Sequence, residues 1–256
     1  QMVWKMGYHP TYLWTLPMFH CNGWCFPWTI VALAGTQVCL KNVSGKEIIK
    51  NLKKNRVSHL CGAPIILQML IDELKKVKLK NKVHIMTAAS PPPPTILEQI
   101  EKKGFEVTHV YGLTESYGPA VICEWKDKWR KIKSSHKRAY LKSRQGVKYP
   151  SLEFLEVMDP KSMNPVIKNG KMIGEVMFKG NIVMKGYLND AKANKKVFKN
   201  NWFHTGDLAV VHSDGYIELK DRAKDIIISG GENISSIEIE KLIMRIKSVA
   251  DCAVIG

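Results

Sequence analysis

The chain has 256 residues, of which 45% are hydrophobic and 24% charged; these proportions are ordinary for a globular protein and argue against a disordered one. Its 39 Lys and Arg residues exceed its 23 Asp and Glu residues, and the net charge of +16 favours an anionic partner without choosing among nucleotides, coenzymes, nucleic acids and membrane surfaces. The six cysteines are scattered, several within apolar runs, which indicates a reduced, intracellular protein rather than a disulfide framework.

Short apolar strands alternate with helices from residue 24 to about residue 123. We predict helices at about 24–34, 46–55, 64–74 and 94–103, and strands at 37–40, 57–61, 83–87 and 107–111. This alternation predicts an α/β fold with a mostly parallel sheet that is buried on both faces. In such sheets ligands bind beyond the carboxyl ends of the strands, which is where residues 88–91 and 111–115 lie.

The run from residue 21 to residue 40 carries no charge and is long enough on paper to span a membrane. Pro27, Gly35, Thr36 and Gln37 interrupt it. We therefore predict a buried helix followed by a buried strand, and no membrane span.

The segment 126–148 has ten Lys or Arg residues and a single acidic one, with aromatic residues interleaved. It has two interpretations: a nucleic-acid patch, or an amphipathic excursion between two subdomains whose aromatic side chains pack on the body. We favour the second, and we do not expect a nucleic-acid partner, because no nucleic-acid fold signature accompanies the patch.

Turn signals become frequent after residue 150. Strands at 152–157, 174–178 and 216–219 predict a mostly antiparallel β region, and a serine-capped helix opens at Ser235 and runs to about Arg245. Residues 253–255 are predicted to begin another strand. The chain therefore divides into an α/β part (1–145), a β-rich part (146–224) and the start of a small α+β domain (225–256).

Three strings carry most of the candidate chemistry: Tyr111-Gly112-Leu113-Thr114-Glu115, Trp202-Phe203-His204-Thr205-Gly206-Asp207-Leu208 and Arg222-Ala223-Lys224-Asp225. They resemble the fifth, seventh and eighth core motifs of the adenylate-forming superfamily, which includes acyl-CoA synthetases, coumarate-CoA ligases and luciferases. Taken singly, each string is also compatible with an ordinary strand end or polar turn; three in the right order are far more specific. Segment 224–234 looks most like that of acyl-CoA synthetases, especially plant acyl-activating enzymes of the short- and medium-chain type.

The first string offers groups that suit a magnesium nucleotide. Tyr111 has a flat face for adenine, and Gly112 permits close backbone approach. Thr114 has a hydroxyl for phosphate, and Glu115 has a carboxylate that can hold Mg²⁺. The resemblance implies the same roles.

The resemblance also implies roles for the other two strings. In the superfamily the aspartate that matches Asp207 accepts hydrogen bonds from both ribose hydroxyls, and the arginine that matches Arg222 contacts the nucleotide. Lys224 matches the hinge about which a small C-terminal domain rotates. Thr114, Glu115, Arg222 and Lys224 are therefore the predicted catalytic residues.

Further residues are assigned by resemblance alone. Pro17-Met18-Phe19-His20 resembles the fourth motif, so that Phe19, His20 and Trp24 are predicted to line an acyl pocket. The predicted contacts to the acyl group and adenine are Ser90, His109 and Val110. Gly230 and Gly231 would line the passage for the thiol of coenzyme A. Ala88-Ala89 replaces the Gly-Gly that is common in the loop before Ser90.

The function implied is activation of a carboxylic acid, with a short- or medium-chain fatty acid expected. ATP, Mg²⁺ and coenzyme A would convert it through an acyl-adenylate into an acyl-CoA thioester. No phosphate loop rich in Ser, Thr and Gly precedes the motifs, and the catalytic lysine would lie beyond Gly256; we therefore expect a partial enzyme with little adenylation activity alone. The alternatives are a non-catalytic nucleotide- or acyl-CoA-binding remnant and a ligase for aromatic acids. The sequence predicts neither the oligomeric state nor the choice between peroxisome and cytoplasm.

Overall fold

The computed structural model describes residues 3–4, 6–20, 25–74, 79, 81–229, 232–246, 248–249 and 252–256. The helices within these ranges are α1 (Phe26–Ala32), α2 (Gly45–Lys54), α3 (Pro64–Glu73), α4 (Pro94–Lys102), α5 (Ser135–Ser143), α6 (Ala191–Val197) and α7 (Ser236–Ile243). The strands are β1 (Thr11–Trp14), β2 (Thr36–Cys39), β3 (His59–Cys61), β4 (Val83–Thr87), β5 (Phe105–Leu113), β6 (Gly118–Ile122), β7 (Val147–Lys148), β8 (Phe154–Met158), β9 (Gly174–Lys179), β10 (Phe198–Lys199), β11 (Trp202–Val211), β12 (Ile217–Arg222), β13 (Ile227–Ser229) and β14 (Glu232–Ile234).

Among the described residues the first sheet has seven strands, in the order β2-β1-β3-β4-β5-β6-β7. Strands β1 to β5 pair in parallel, and β6 and β7 complete the sheet with antiparallel pairing. Parallel neighbours end at the same edge, so the carboxyl ends of β4 and β5 lie together. The predicted α/β fold with a mostly parallel sheet is confirmed.

Helices α2, α3 and α4 pack against this sheet around a continuous apolar core. Leu60 and Ile85 from the strands and Leu97 from α4 are fully buried there. Each such side chain stabilises the fold by about 1.5–3 kcal/mol. The helix starts are encoded locally: the Ser44 side chain accepts the Glu47 N–H at the start of α2, and a proline opens both α3 and α4.

The second sheet is antiparallel, as predicted for the β-rich part. Its order is β10-β11-β9-β8, and β12 pairs with the distal half of β11. A bridge joins the two sheets, because the Ile217 N–H donates to the Gly146 carbonyl at 2.8 Å. Gly146 has a φ of 106°, and a Cβ on it would lie 1.9 Å from the Ile122 carbonyl oxygen, so no larger residue fits there.

Beyond residue 224 the described chain forms the β13–β14 hairpin and α7. Asp221, at the end of β12, fixes α7 in place: its Oδ2 accepts the backbone N–H of Ser236 at 2.8 Å and the Ser236 hydroxyl at 2.9 Å. Ser235 caps the helix by accepting the Glu238 N–H at 3.1 Å. The start of this helix follows the prediction, and the division into 1–145, 146–224 and 225–256 stays a prediction.

Some elements differ from those predicted. Helices α5 and α6 were not foreseen, because their lysine-rich sequences have no regular apolar stripe. The strands that were not predicted are β1, β6, β7, β10, β11, β13 and β14. The strand predicted at 253–255 is wrong: the described residues 252–256 form no strand, and the Val254 N–H donates instead to the Glu240 side chain. The uncharged run forms α1 and β2 within its described part, but the prediction that both are buried is wrong. Within α1 only Ile30 is buried and Trp28 is 57% exposed, while β2 is the edge strand of the first sheet and has no buried residue. In the described ranges no helix is both long and apolar enough to cross a membrane.

Of the aromatic residues along the basic segment, Trp125 and Trp129 pack on the body of the protein, whereas Tyr140 is 39% exposed. Trp129 is buried, and its ring lies edge-on to Trp125 and Tyr216, with centroids 5.1 and 5.0 Å apart. Arg144 stacks over Tyr216 and forms two hydrogen bonds of 3.1 Å with Asp214. This matches the amphipathic excursion that we favoured, and part of its positive charge is engaged within the fold.

Candidate active site

A cleft of about 1650 Å³ opens where β5, β11 and β12 approach one another. All three motif strings contribute to its wall, through residues 111–115, 204–207 and 222–225. Tyr111 and Asp207 are 96 residues apart in the chain, yet they are directly hydrogen-bonded. The fold therefore brings the three strings into one site.

A tyrosine, an aspartate and an arginine form the centre of this site. The Tyr111 hydroxyl donates to Asp207 Oδ2 at 2.5 Å, and Arg222 Nε lies 3.7 Å from Asp207 Oδ1. The Asp207 side chain is 10% exposed, whereas that of Arg222 is 59% exposed. Burial raises the pKa of Asp207 above its ordinary value, although the Tyr111 hydrogen bond and the Arg222 charge act in the opposite direction. Asp207 is thus a buried carboxylate whose cationic partner is largely exposed to solvent.

The backbone around Asp207 is irregular because the pairing of β11 with β9 shifts register between His204 and Leu208. Gly206 within this stretch has a φ of 76°, which favours glycine. Glu175 on β9 holds the stretch in place. It accepts the Gly206 N–H at 2.9 Å with one oxygen and contacts His204 Nδ1 at 2.8 Å with the other.

Thr114 and Glu115 lie in a single 3₁₀ turn, Thr114–Ser116, directly after β5. Gly112 allows this turn to form, since a Cβ there would lie 2.0 Å from the Gly118 carbonyl oxygen. The close approach that the glycine permits is therefore to the returning strand β6. The Thr114 side chain is exposed, and both residues line the cleft.

Glu115 is the candidate Mg²⁺ ligand. One of its oxygens, Oε1, accepts a hydrogen bond from the Tyr187 hydroxyl at 2.8 Å. In the described part of the chain no cluster of three or more His, Cys, Asp or Glu residues could hold a metal ion by itself. A Mg²⁺ ion bound to a nucleotide needs only one or two protein carboxylates, because water molecules and phosphates complete its shell.

The loop after β4 also reaches the cleft. Ser90 lines it, and the preceding Ala89 has a φ of 83°, a left-handed conformation that alanine rarely adopts. Alanine in place of glycine therefore leaves the turn intact at some cost in backbone strain.

Five other predicted residues fall into two groups. His20, Arg222 and Lys224 line the cleft, and all three are exposed. His109 and Val110 are buried within β5 and do not line it. His109 Nδ1 lies 3.0 Å from the Arg144 carbonyl oxygen, and burial lowers the His109 pKa to about 4, so the ring is neutral.

The acyl-pocket and coenzyme A predictions are only partly covered by the described residues. Phe19 is 77% exposed and does not line the cleft. Trp24, Gly230 and Gly231 lie outside the described residues.

Two residues that sequence reasoning missed, Glu175 and Tyr187, hold the motif residues in place. Both follow glycine in short strings, Gly174-Glu175 and Gly186-Tyr187, between the first and second motifs. The preceding glycine is the only mark of these two residues in the sequence. It does not reveal their partners, because Gly206 and Glu115 lie 31 and 72 residues away.

The geometry can be compared with known proteins. The family model described as "AMP-binding enzyme" matches residues 1–188. The chain belongs to the AMP-binding enzyme family.

Similar AMP-binding enzymes include several named plant ligases. The chain is 48% identical over 258 residues to the peroxisomal acetate/butyrate–CoA ligase AAE7 of Arabidopsis thaliana, covering 100% of this chain and 45% of that protein. It is 47% identical over 257 residues to the peroxisomal trans-cinnamate:CoA ligase of Petunia hybrida, with the same coverage. The chain thus spans about half the length of the curated relatives it matches.

The fold of the chain also resembles solved structures of AMP-binding enzymes. One is o-succinylbenzoate coenzyme A synthetase from Bacillus subtilis in complex with ATP and magnesium ion, at a TM-score of 0.82 and 27% identity. The match covers 100% of this chain and 50% of that one.

Proposed function

We propose that the cleft binds the adenylate part of ATP and of an acyl-adenylate. The whole protein would then convert a carboxylic acid, ATP and coenzyme A into an acyl-CoA thioester. The observation that carries this proposal is the contact among Tyr111, Asp207 and Arg222 in the same cleft as Glu115. It unites a flat aromatic ring, a buried carboxylate, a guanidinium and a candidate Mg²⁺ ligand, which are the groups that a magnesium nucleotide requires.

Each residue would contribute positioning or charge rather than covalent chemistry. Asp207 would accept hydrogen bonds from the ribose hydroxyls, and its weakly compensated charge makes it a strong acceptor. Arg222 and the Thr114 hydroxyl would contact phosphate oxygens. Glu115 would help to hold Mg²⁺, which would neutralise phosphate charge. The oxygen of the substrate carboxylate would attack the α-phosphorus of ATP, and the α–β phosphoanhydride bond would break to release pyrophosphate. Lys224 would serve as the hinge for the part of the chain that follows it.

The acyl substrate is proposed as a short- or medium-chain fatty acid. Relatives named for acetate and butyrate support this, and His20 at the cleft wall offers a place for the acyl group. An aromatic acid is the second candidate, because a relative of 47% identity is a trans-cinnamate:CoA ligase. Relatives of both kinds are named peroxisomal, so we propose the peroxisome ahead of the cytoplasm as the compartment.

Calorimetric titration tests the proposal on this chain. The ligands would be AMP and non-hydrolysable analogues of butyryl-adenylate and cinnamoyl-adenylate, each added to the wild type and to Asp207→Asn. We expect AMP to bind, the butyryl analogue to bind more tightly than the cinnamoyl one, and Asp207→Asn to weaken all three by roughly 10- to 100-fold, which corresponds to one or two charged hydrogen bonds. Asp72→Asn, on the exposed face of α3, is the matched control.

The outcomes separate the alternatives. Equal AMP affinity in the wild type and in Asp207→Asn would refute the proposed site. Tighter binding of the cinnamoyl analogue would select the aromatic-acid ligase. Tight adenylate binding without acyl-adenylate formation from ATP and butyrate is expected of this chain alone, and measurable acyl-adenylate would contradict the prediction that it is a partial enzyme.

A further inference from the structure

The candidate Mg²⁺ ligand is held by a residue that belongs to none of the three motif strings. The Tyr187 hydroxyl donates to Glu115 Oε1 at 2.8 Å across 72 residues of sequence. Oε2 of the same carboxylate accepts no hydrogen bond from the residues that the structure describes. Glu115 is only partly buried, so packing alone does not fix the rotamer of its side chain.

Tyr187 is itself fixed by helix α6. The side-chain amide of Asn194 accepts the Tyr187 backbone N–H at 2.6 Å and donates to the Tyr187 carbonyl at 2.9 Å. Gly186 makes room for this clamp. It has a φ of 154°, and a Cβ on it would lie 2.9 Å from Asn194 Oδ1. Both the position and the direction of the tyrosine backbone are therefore set by one side chain.

The loop before Tyr187 makes a second contact with the same glutamate. The Met184 N–H donates to the Glu115 carbonyl oxygen at 2.7 Å. One loop thus holds Glu115 by its backbone and by its side chain, and that loop ends on the Asn194 clamp. The arrangement is a supporting shell of the kind that orients metal ligands.

We propose that Tyr187 is a positioning residue that fixes the Glu115 carboxylate through Oε1 and leaves Oε2 available to bind Mg²⁺ on a nucleotide in the cleft. A phenol hydroxyl is protonated at neutral pH, so Tyr187 acts as the donor in this hydrogen bond. Asn194 acts one step further back, by holding Tyr187. This inference rests on the proposed function, since it requires a magnesium nucleotide in this cleft.

The test measures how much Mg²⁺ strengthens nucleotide binding. ATP would be titrated into the chain with saturating MgCl₂ and again with EDTA, and the ratio of the two dissociation constants gives the Mg²⁺ enhancement. We expect Tyr187→Phe to reduce this ratio about tenfold, the lower end of the effect of losing a partner of a metal ligand. AMP binding in EDTA should stay within about twofold, because it does not use the metal.

Two further variants separate positioning from general disruption. Glu115→Gln should remove most of the Mg²⁺ enhancement, and adding Tyr187→Phe to it should change nothing more, because Tyr187 acts through Glu115. Tyr140→Phe is the matched control. It removes another tyrosine–glutamate hydrogen bond, the 3.3 Å contact of Tyr140 with Glu218, outside the cleft.

Failure of this inference can be told from failure of the proposed function. A wild type that binds ATP with Mg²⁺ enhancement, together with an unchanged ratio in Tyr187→Phe, would overturn the positioning role alone. Loss of AMP binding together with the Mg²⁺ effect in Tyr187→Phe would also overturn it, by showing a merely structural role. A wild type that binds neither AMP nor ATP would contradict the proposed function and this inference with it.

Discussion

The first sheet buries imidazoles, whereas the second sheet buries carboxylates. His59 on β3 and His109 on β5 are buried in the first sheet, and burial lowers the pKa of each to about 4. A neutral ring can be buried without a counter-charge, and these two need none. In the second sheet the buried carboxylates among the described residues are Glu175, Asp207, Glu218 and Asp221. An ionised carboxylate cannot be buried without compensation of its charge, so the groups around it determine its pKa.

Glu218 and Asp207 show how much the partners matter. Glu218 lies between Lys241 at 3.1 Å, Lys220 at 3.7 Å and His212 at 2.9 Å, and these partners outweigh burial and hold its pKa well below the ordinary range. Asp207 has a neutral tyrosine and a largely exposed arginine, and its pKa is raised. The charge of Glu218 is therefore compensated by groups within the fold. Asp207 has weaker partners and can still accept hydrogen bonds from a ligand, which distinguishes the candidate site from the Glu218 network.

The largest expected effect is acid destabilisation that begins in the first sheet. His59 and His109 bind protons below a pKa of about 6.5 when unfolded but only near 4 when folded. The unfolded chain therefore binds more protons in this window, and the free energy of unfolding falls as the pH drops from about 6.5 to 4, by about 3 kcal/mol for each ring. Urea denaturation at several pH values measures the slope.

Variants assign that acid slope to its sheet. His59→Gln should flatten it, and His136→Gln, at an exposed site on α5, should not. The Glu218 contribution is present above about pH 4.5 and is lost only below it, since the folded pKa is depressed. A slope confined below pH 4.5 would contradict the contrast between the sheets.

The next largest effect is expected from Glu218→Gln. Removing the charge leaves Lys220 and Lys241 partly buried without their counter-ion, which should lower the free energy of unfolding by about 3 kcal/mol. Glu47→Gln, in the exposed pair with Lys50, is the control and should cost less than 1 kcal/mol. Equal losses of unfolding free energy in the two variants would show that burial of the Glu218 network does not add to stability.

The smallest effect is expected from Asp207→Asn. Burial disfavours the ionised form of Asp207, so the amide removes that unfavourable term while it weakens the Tyr111 hydrogen bond. We expect the free energy of unfolding to stay within about 1 kcal/mol of the wild type. A loss as large as that of Glu218→Gln, measured in the same urea titration, would make Asp207 a structural residue like Glu218.

The sequence predicted the fold best where apolar periodicity was strong. The strand and helix series from α1 to β5 was found this way, with boundaries within about three residues. Helices α5 and α6 were not predicted, because their many lysines leave no apolar periodicity. Each helix nevertheless begins with a side-chain cap, provided by Ser134 and Asp190.

For the site, the sequence identified residues that line the cleft but not those that hold them in place. Tyr111, Glu115 and Asp207 lie in recognisable strings, and the fold brings them into one cleft. Tyr187 contacts Glu115, which is 72 residues away, and Glu175 contacts Gly206 and His204, which are 31 and 29 residues away. No local sequence pattern encodes such contacts. Long-range hydrogen bonds become visible only once the strands are paired.

The central claim is that the three motif strings form one adenylate site organised by Asp207. A crystal structure of this chain with AMP tests it most directly. The account predicts both ribose hydroxyls within hydrogen-bonding distance of the Asp207 carboxylate, about 2.5–3.0 Å, with the adenine against Tyr111 and the phosphate towards Thr114. AMP bound elsewhere, for example among the lysines of α6, or a ribose that makes no contact with Asp207, would contradict it.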